Sequence, residues 1–336
     1  MGSGALASIA VCKETTFKTD PAITYNGIFG YGTKITSLER ANGVQRIFGL
    51  GSRAQQVNLE TIFSGSISVE YVLSNPYSFM AALGKTVTSV VDGNGLYTHT
   101  FTEQDILPTY AIKNNQELGT TDAQSVLLGA VMTNKTLTCS VGDPVLCSDD
   151  YVYATELFST TAFVPQIAET LNVYSFAHGT FSLPDGTIVA NVQNCEIGIA
   201  ENADMIYGLG ARTGAAHVDK QREYTVRASV YMTDPSKFWR YVYAGGSGTP
   251  ATGTAPTTMV EIPSLTLTLD NGGATSAQRY IKLAFTNVMM DTHSMPQDVG
   301  APIIEDATLF PRGLTVTALN PSATTEANYK AWVLGT

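Results

Sequence analysis

The sequence predicts a mainly β protein built from two tandem β domains. Three observations predict it: period-two alternation of apolar and polar residues along many segments, turn-forming residues between them, and an internal repeat. Helical patterns are few and short. A length of 336 residues fits two domains of ordinary size.

In chain order, the clearest strands are Ser66–Leu73, Tyr97–Phe101, Thr109–Lys113, Lys135–Val141, Thr187–Val192, Tyr224–Met232, Leu265–Leu269 and Tyr280–Phe285. Most are rich in Val, Thr, Ile and Tyr, which fit a pleated, half-buried surface. The punctuation is Asp92-Gly93-Asn94-Gly95, Gly142-Asp143-Pro144, Pro184-Asp185-Gly186 and Asp270-Asn271-Gly272-Gly273. Asp92–Gly95 sits between Val90-Val91 and Leu96-Tyr97 and reads as the tip of a β-hairpin. Gly245–Pro256 is low in complexity and reads as a flexible loop.

The repeat starts with Ile47-Phe48-Gly49-Leu50-Gly51-Ser52-Arg53, which returns 159 positions later as Ile206-Tyr207-Gly208-Leu209-Gly210-Ala211-Arg212. At the same offset the strand face Ile67, Val69, Tyr71, Leu73 falls on Val226, Ala228, Val230, Met232. Ser74-Asn75-Pro76-Tyr77-Ser78-Phe79 then falls on Thr233-Asp234-Pro235-Ser236-Lys237-Phe238. Asn75 and Asp234 read as helix N-caps, Pro76 and Pro235 as first helical residues, and Phe79 and Phe238 as buried helix positions. After a small shift, Ile106-Leu107-Pro108-Thr109 matches Glu261-Ile262-Pro263-Ser264, and Thr133-Asn134 falls on Thr286-Asn287. A duplication with its boundary around Thr160–Pro165 divides the chain into residues 1–162 and 163–336.

Charged residues make up only 14% of the chain, against about a quarter in a typical soluble protein, which suggests a surface covered by other protein. A net charge of −10 argues against a chain-wide basic footprint for nucleic acid. No apolar run reaches the roughly 18 residues needed to span a membrane. The N-terminal apolar stretch lacks a positive flank and does not read as a secretory signal, so cytoplasmic synthesis and folding are expected.

No catalytic, cofactor-binding or metal-binding residue is assigned. His99, His178, His217 and His293 have no partners at metal-ligand spacing. The Gly-Leu-Gly segments miss the spacing of a dinucleotide fingerprint and read as tight turns. Asp149-Asp150 and Glu305-Asp306 read as solvated pairs in turn-like contexts. The four cysteines do not form a disulfide framework. Cys139 and Cys147 flank the Gly142-Asp143-Pro144 turn symmetrically, which leaves open a cross-strand disulfide or two buried thiols.

An ordered run of motifs covers residues 5 to 150. Lys13-Glu14-Thr15-Thr16-Phe17 follows a short strand. Next come Gly-Leu-Gly-Ser-Arg, the strand Gly65–Leu73 and a helix ending Ala81-Ala82-Leu83-Gly84. Tyr97–Thr102, Asp105–Tyr110 and the strand Gly129–Thr138 follow, and Gly142-Asp143-Pro144-Val145 closes the run. This order resembles the tail tube proteins of tailed bacteriophages, and the repeat extends the resemblance over most of the chain. The resemblance implies a tail-tube-like β-sandwich or barrel domain with a flanking short helix and a long hairpin, present twice. It further implies six-fold rings with a twenty-four-stranded inner barrel, stacked into a tube through which DNA passes without specific binding.

With two such domains per chain, three chains would complete a pseudo-six-fold ring. The implied partners are further copies of the chain and other tail proteins. The implied location is the virion tail, after assembly in the host cytoplasm. A tail hub or distal tail protein is an alternative within the same assembly. A double β-sandwich carbohydrate-binding or adhesin-like protein is one from another class, though the 16 Tyr and 2 Trp show no one-face cluster.

Overall fold

The computed structural model describes residues 7–21, 27–51, 53–90, 96–117, 122–159, 173–184, 186, 188–189, 191–232, 261–273, 278–300, 302–320 and 327–335. The strands of the first half are β1 (Ala7–Lys13), β2 (Tyr31–Phe48), β3 (Gln55–Val72), β4 (Gly84–Val90), β5 (Tyr97–Glu103), β6 (Tyr110–Glu117), β7 (Asp122–Ser140), β8 (Leu146–Tyr153) and β9 (Thr155–Ser159), with helix α1 (Phe79–Leu83) before β4. Those of the second half are β10 (Gly179–Ser182), β11 (Val192–Ala200), β12 (Asp204–Ile206), β13 (Ala216–Val218), β14 (Glu223–Tyr231), β15 (Ile262–Asp270), β16 (Tyr280–Ser294), β17 (Ile304–Phe310) and β18 (Gly313–Asn320). The fold is mainly β, as the alternation predicts.

One expected strand is shorter than predicted. In Thr187–Val192, Ile188 makes an isolated bridge to Ser182, and the regular strand starts only at Val192. The linker around Thr160–Pro165, the loop Gly245–Pro256 and the expected second helix with Asp234, Pro235 and Phe238 lie outside the described residues.

Eight strands form one continuous antiparallel layer in the order β2-β3-β8-β7-β11-β14-β17-β16. The strand order of the second half repeats that of the first. Register repeats with it: Ile67 opposite Tyr151 and Val69 opposite Asp149 have counterparts in Val226 opposite Leu309 and Ala228 opposite Ala307. The bulge after Met132 in β7 returns after Met290 in β16.

This register corrects one expected match. The counterpart of Asn134 is Thr292, not Asn287, and Asn287 instead matches Gly129. Both of these adopt positive φ, +66° at Gly129 and +52° at Asn287. There each long strand leaves one layer and enters the other. A Cβ at Gly129 would sit 2.9 Å from the Phe17 ring and 3.0 Å from Ala154 Cβ, so the crossing needs glycine for space as well as for φ.

A second layer covers one face of the first. Residues Asp122–Ala130 of β7 pair with β6 and β9, and β6 pairs with β1. In the second half, Tyr280–Val288 of β16 pairs with β15 and β18, and β15 pairs with β10. The hairpin β4–β5 of the first half joins this sheet of the second half, with Phe101 opposite Val316. The core between the layers is formed by Ile67, Val69, Leu137, Ile197, Val226 and Leu309 from the long layer, with α1 buried along its whole length.

Candidate functional site

Alternation gives the long layer two unlike faces. One faces the core. The other carries short polar side chains at consecutive registers: Ser66, Ser68, Ser148, Thr136, Thr138, Asn194, Thr225, Ser229 and Thr308. At the regular registers of this face lie the acids Glu39, Glu70, Asp150, Glu196, Glu223 and Asp306 and the bases Lys34 and Arg227. Each base is paired with an acid on the same face, Lys34 with Glu70 at 2.6 Å and Arg227 with Glu196 at 2.9 Å. At these registers the face is therefore hydroxyl-rich and net negative, with Lys34 and Arg227 each neutralised by a neighbouring acid.

The layer ends in two unpaired edges among the described residues. β2 pairs only with β3, and Met289–Ser294 of β16 pairs only with β17. At the middle of the layer the equivalent edges are joined: β7 meets β11 from Asn134 opposite Ala200 to Ser140 opposite Asn194. An unpaired edge presents a row of free backbone donors and acceptors, which invites another strand.

Beneath the first half of the polar face lies a buried ionic node. Lys135 Nζ donates to Asp149 Oδ1 at 2.8 Å, to the Tyr71 hydroxyl at 2.8 Å and to Ser78 Oγ at 3.0 Å. The Tyr71 hydroxyl donates to Asp149 Oδ2 at 2.8 Å. Lys135 and Asp149 are 1% and 0% exposed. The ammonium also sits 5.0 Å from the centre of the Phe79 ring, which ties α1 to the layer. Burial pushes the Asp149 carboxyl up, opposed by the Lys135 charge, and burial pushes the Tyr71 phenol well up. The pair Asp149-Asp150, expected on solvated surface, is thus split by alternation in mid-strand. Asp149 enters the core, while Asp150 stays on the polar face and accepts from Asn134 Nδ2 at 3.2 Å. Glu305-Asp306 divides in the same way, with Glu305 buried and Asp306 exposed.

Asn75 is buried, its Oδ1 accepting from the Tyr77 backbone N–H at 3.1 Å. Its Nδ2 donates to the Ile28 and Phe29 carbonyls at 3.3 and 3.1 Å. The Pro76 carbonyl accepts from the Phe79 N–H at 3.1 Å. The helix proper begins at Phe79, so Asn75 holds the turn that leads into it. We expect Asn75→Ala to cost about 2 kcal/mol, because it leaves two buried carbonyls without this donor. Urea denaturation of the purified chain checks this.

The expected facing of Cys139 and Cys147 does not occur. The β7–β8 register puts Cys147 opposite Leu137, while Cys139 lies opposite Cys195 of β11. All four cysteines are free and buried. Burial pushes the Cys139 thiol up to about 11 and the Cys147 thiol up to about 12. Thiolate reactivity is correspondingly suppressed. A thiol reagent at pH 8 should leave these groups unmodified in the folded chain and titrate all four after non-reducing denaturation. A count of two would show a disulfide.

A β fold with a polar face, two matching open edges and a repeated strand order defines a self-associating structural protein. The family described as phage tail tube protein matches residues 4–249, and the chain belongs to this family. No curated protein matches the chain. Family membership makes it a structural component of the virion tail that self-assembles into tubes with other tail proteins. No helix among the described residues is long and apolar enough to cross a membrane.

Sequence reasoning missed the Lys135–Asp149 node. The spacing Cys147-x-Asp149-x-Tyr151 carries the signal, since it places Asp149 on the same strand face as two buried residues.

Proposed function

We propose that three copies of this chain close one ring of the tail tube, and that the polar face of the long layer lines the channel through which DNA is ejected. One observation carries the reading: four strands from each half continue into one eight-stranded layer that ends in two open edges. Pairing β16 of one chain with β2 of the next would repeat the β7–β11 junction. Three chains would then give a closed barrel of twenty-four strands, with no edge left open.

The two halves act as tandem tube domains, residues 1–162 and 163–336, joined by the segment around Thr160–Gln166. The chain has a structural rather than a catalytic role and assembles in the host cytoplasm. The lining suits transit of a polyanion, because phosphates gain affinity from unpaired cations, and Lys34 and Arg227 are both paired. Asp234 and Pro235 would open a second short helix, as Asn75 and Pro76 open the turn before the first.

The mass of isolated rings tests the symmetry. Three chains of 35.8 kDa give about 107 kDa. Rings of six chains, with the second half outside the channel wall, would overturn it. The lining is tested separately by Glu196→Lys with Asp306→Lys, two changes on the open face. Tubes should still form, and DNA should be retained at low salt and released as salt rises.

A further inference from the structure

The two halves treat their long hairpins differently. In the second half, the strands leave the layer at Asn202, at φ +51°, and β12–β13 folds sideways onto the first half. Ala203 and Met205 are buried there against Leu107, Val131 and Ala154, with Val152 and Tyr207 packed alongside. The Gly214 N–H donates to the Ala154 carbonyl at 3.3 Å. At the tip, Arg212 Nε donates to the Thr61 carbonyl at 3.1 Å, and its Nη1 pairs with Glu60 at 2.9 Å. The chain thus contains one complete hairpin-on-domain interface.

Both halves of a second such interface are present and uncovered. The hairpin β2–β3 keeps its pairing out to Phe48 opposite Gln55 and so extends beyond β8, which pairs only with Gly65–Val72 of β3. Its counterparts of Ala203 and Tyr207 are Val44 and Phe48, 53% and 59% exposed. Gly43 stands where Asn202 makes the bend, next to a bulge between Asn42 and Val44. On the second half, the counterparts of the covered Val152 and Ala154 are Phe310, 46% exposed, and Arg312, whose side chain is 66% exposed.

We propose that the β2–β3 hairpin of one chain docks on the second half of the neighbouring copy, over Phe310 and Arg312, as β12–β13 docks on the first half within the chain. The occupant is a second copy of this chain, and the internal interface is its template. The inference rests on the ring reading, and it assigns to the projecting hairpin a role in holding neighbours together.

The test is a cysteine pair. A Cβ at Gly214 lies 3.1 Å from Ala154 Cβ, and the counterparts of these residues are Gln55 and Arg312. Facing Cβ atoms about 3.5–4.5 Å apart close a disulfide. Gln55 in β3 and Arg312 just after β17 are five strands apart in the layer, roughly 24 Å at strand spacing, so a bond between them must join two chains.

Rings of Gln55→Cys/Arg312→Cys, oxidised and run without reductant, should give dimers and a closed trimer, while each single variant stays monomeric. Phe48→Glu, at an exposed position, should raise the concentration needed for ring formation by about tenfold or more. Three-chain rings that form without the cross-link overturn the docking and leave the ring reading intact. Cross-links that appear only in stacked tubes, and not in single rings, overturn it too, since the hairpin would then reach the next ring. A wild-type chain that forms no rings overturns both.

Discussion

Lys135→Met should destabilise the chain by about 3–5 kcal/mol, the usual consequence of leaving one member of a buried ion pair alone. Asp149 would remain in the core with the Tyr71 hydroxyl at 2.8 Å and no counter-charge. Its carboxyl, already raised by burial, would rise further and take up a proton. The sign of the pH dependence follows. A carboxyl whose folded pKa is raised contributes most below its unfolded value and loses that contribution as pH rises through the folded value. The deficit of Lys135→Met should therefore be largest at neutral pH and shrink toward pH 4.

Replacing both partners, Lys135→Met with Asp149→Leu, should recover most of the loss, because an apolar pair of similar volume removes both desolvation costs. Urea curves for the two single variants and the double variant complete the cycle. A loss below about 1 kcal/mol in Lys135→Met would show that the node is dispensable. The second half builds the same region differently: the counterparts of Asp149 and Tyr71 are Ala307 and Val230, both buried. At the place of Lys135 the second half has His293, 3.6 Å from the buried Glu305, so the Lys–Asp–Tyr arrangement belongs to the first half and its loss should weaken that half selectively.

The strands were legible where alternation is local. Ile67-x-Val69-x-Tyr71 and Val226-x-Ala228-x-Val230 each declare a buried face, and the structure buries all six. The Gly-Leu-Gly turns were legible too, because Gly51 and Gly210 both adopt positive φ, +82° and +83°, at the hairpin tips. What escaped depends on register or on distant pairing. Cys147 lies opposite Leu137 because the β7–β8 turn is not symmetric about Asp143, and no spacing argument reveals that.

The single strand β7 runs through both layers, and Gly129 hides its continuity by interrupting the pattern. The joins β7–β11 and β5–β18 bring together residues far apart in sequence, which local periodicity does not encode. The polar face was readable as alternate positions. Its sign became readable only when register showed which acids share a face with Lys34 and Arg227.

The closing helical segment, Ala327–Tyr329 running into Lys330–Leu334, carries the other large effect, and it too is non-local. Trp332 is fully buried in the first half, edge-on to Phe29 at 5.2 Å and beside Tyr110 at 5.3 Å. Its indole N–H donates to the Ile28 carbonyl at 3.0 Å, and its own carbonyl accepts from the Tyr110 hydroxyl at 3.1 Å. Asn328 Oδ1 accepts from the Ile28 N–H at 2.8 Å, and Lys13 Nζ donates to the Val333 carbonyl at 3.0 Å. The segment that follows the second half thus completes the core of the first.

Trp332→Ala should cost about 3–5 kcal/mol, through lost burial and the cavity left behind. Trp332→Phe, which keeps a ring but leaves the Ile28 carbonyl only its longer bond from Asn75 Nδ2, should cost about 1 kcal/mol. If the segment clamps the two halves together, Trp332→Ala should also expose residues 327–335 to protease before the rest of the chain unfolds, while Trp332→Phe should not. Thermal midpoints together with timed proteolysis separate the two effects. Equal protease resistance in Trp332→Ala and the wild type would show that the segment is held by its backbone contacts alone, and that the tryptophan only fills space.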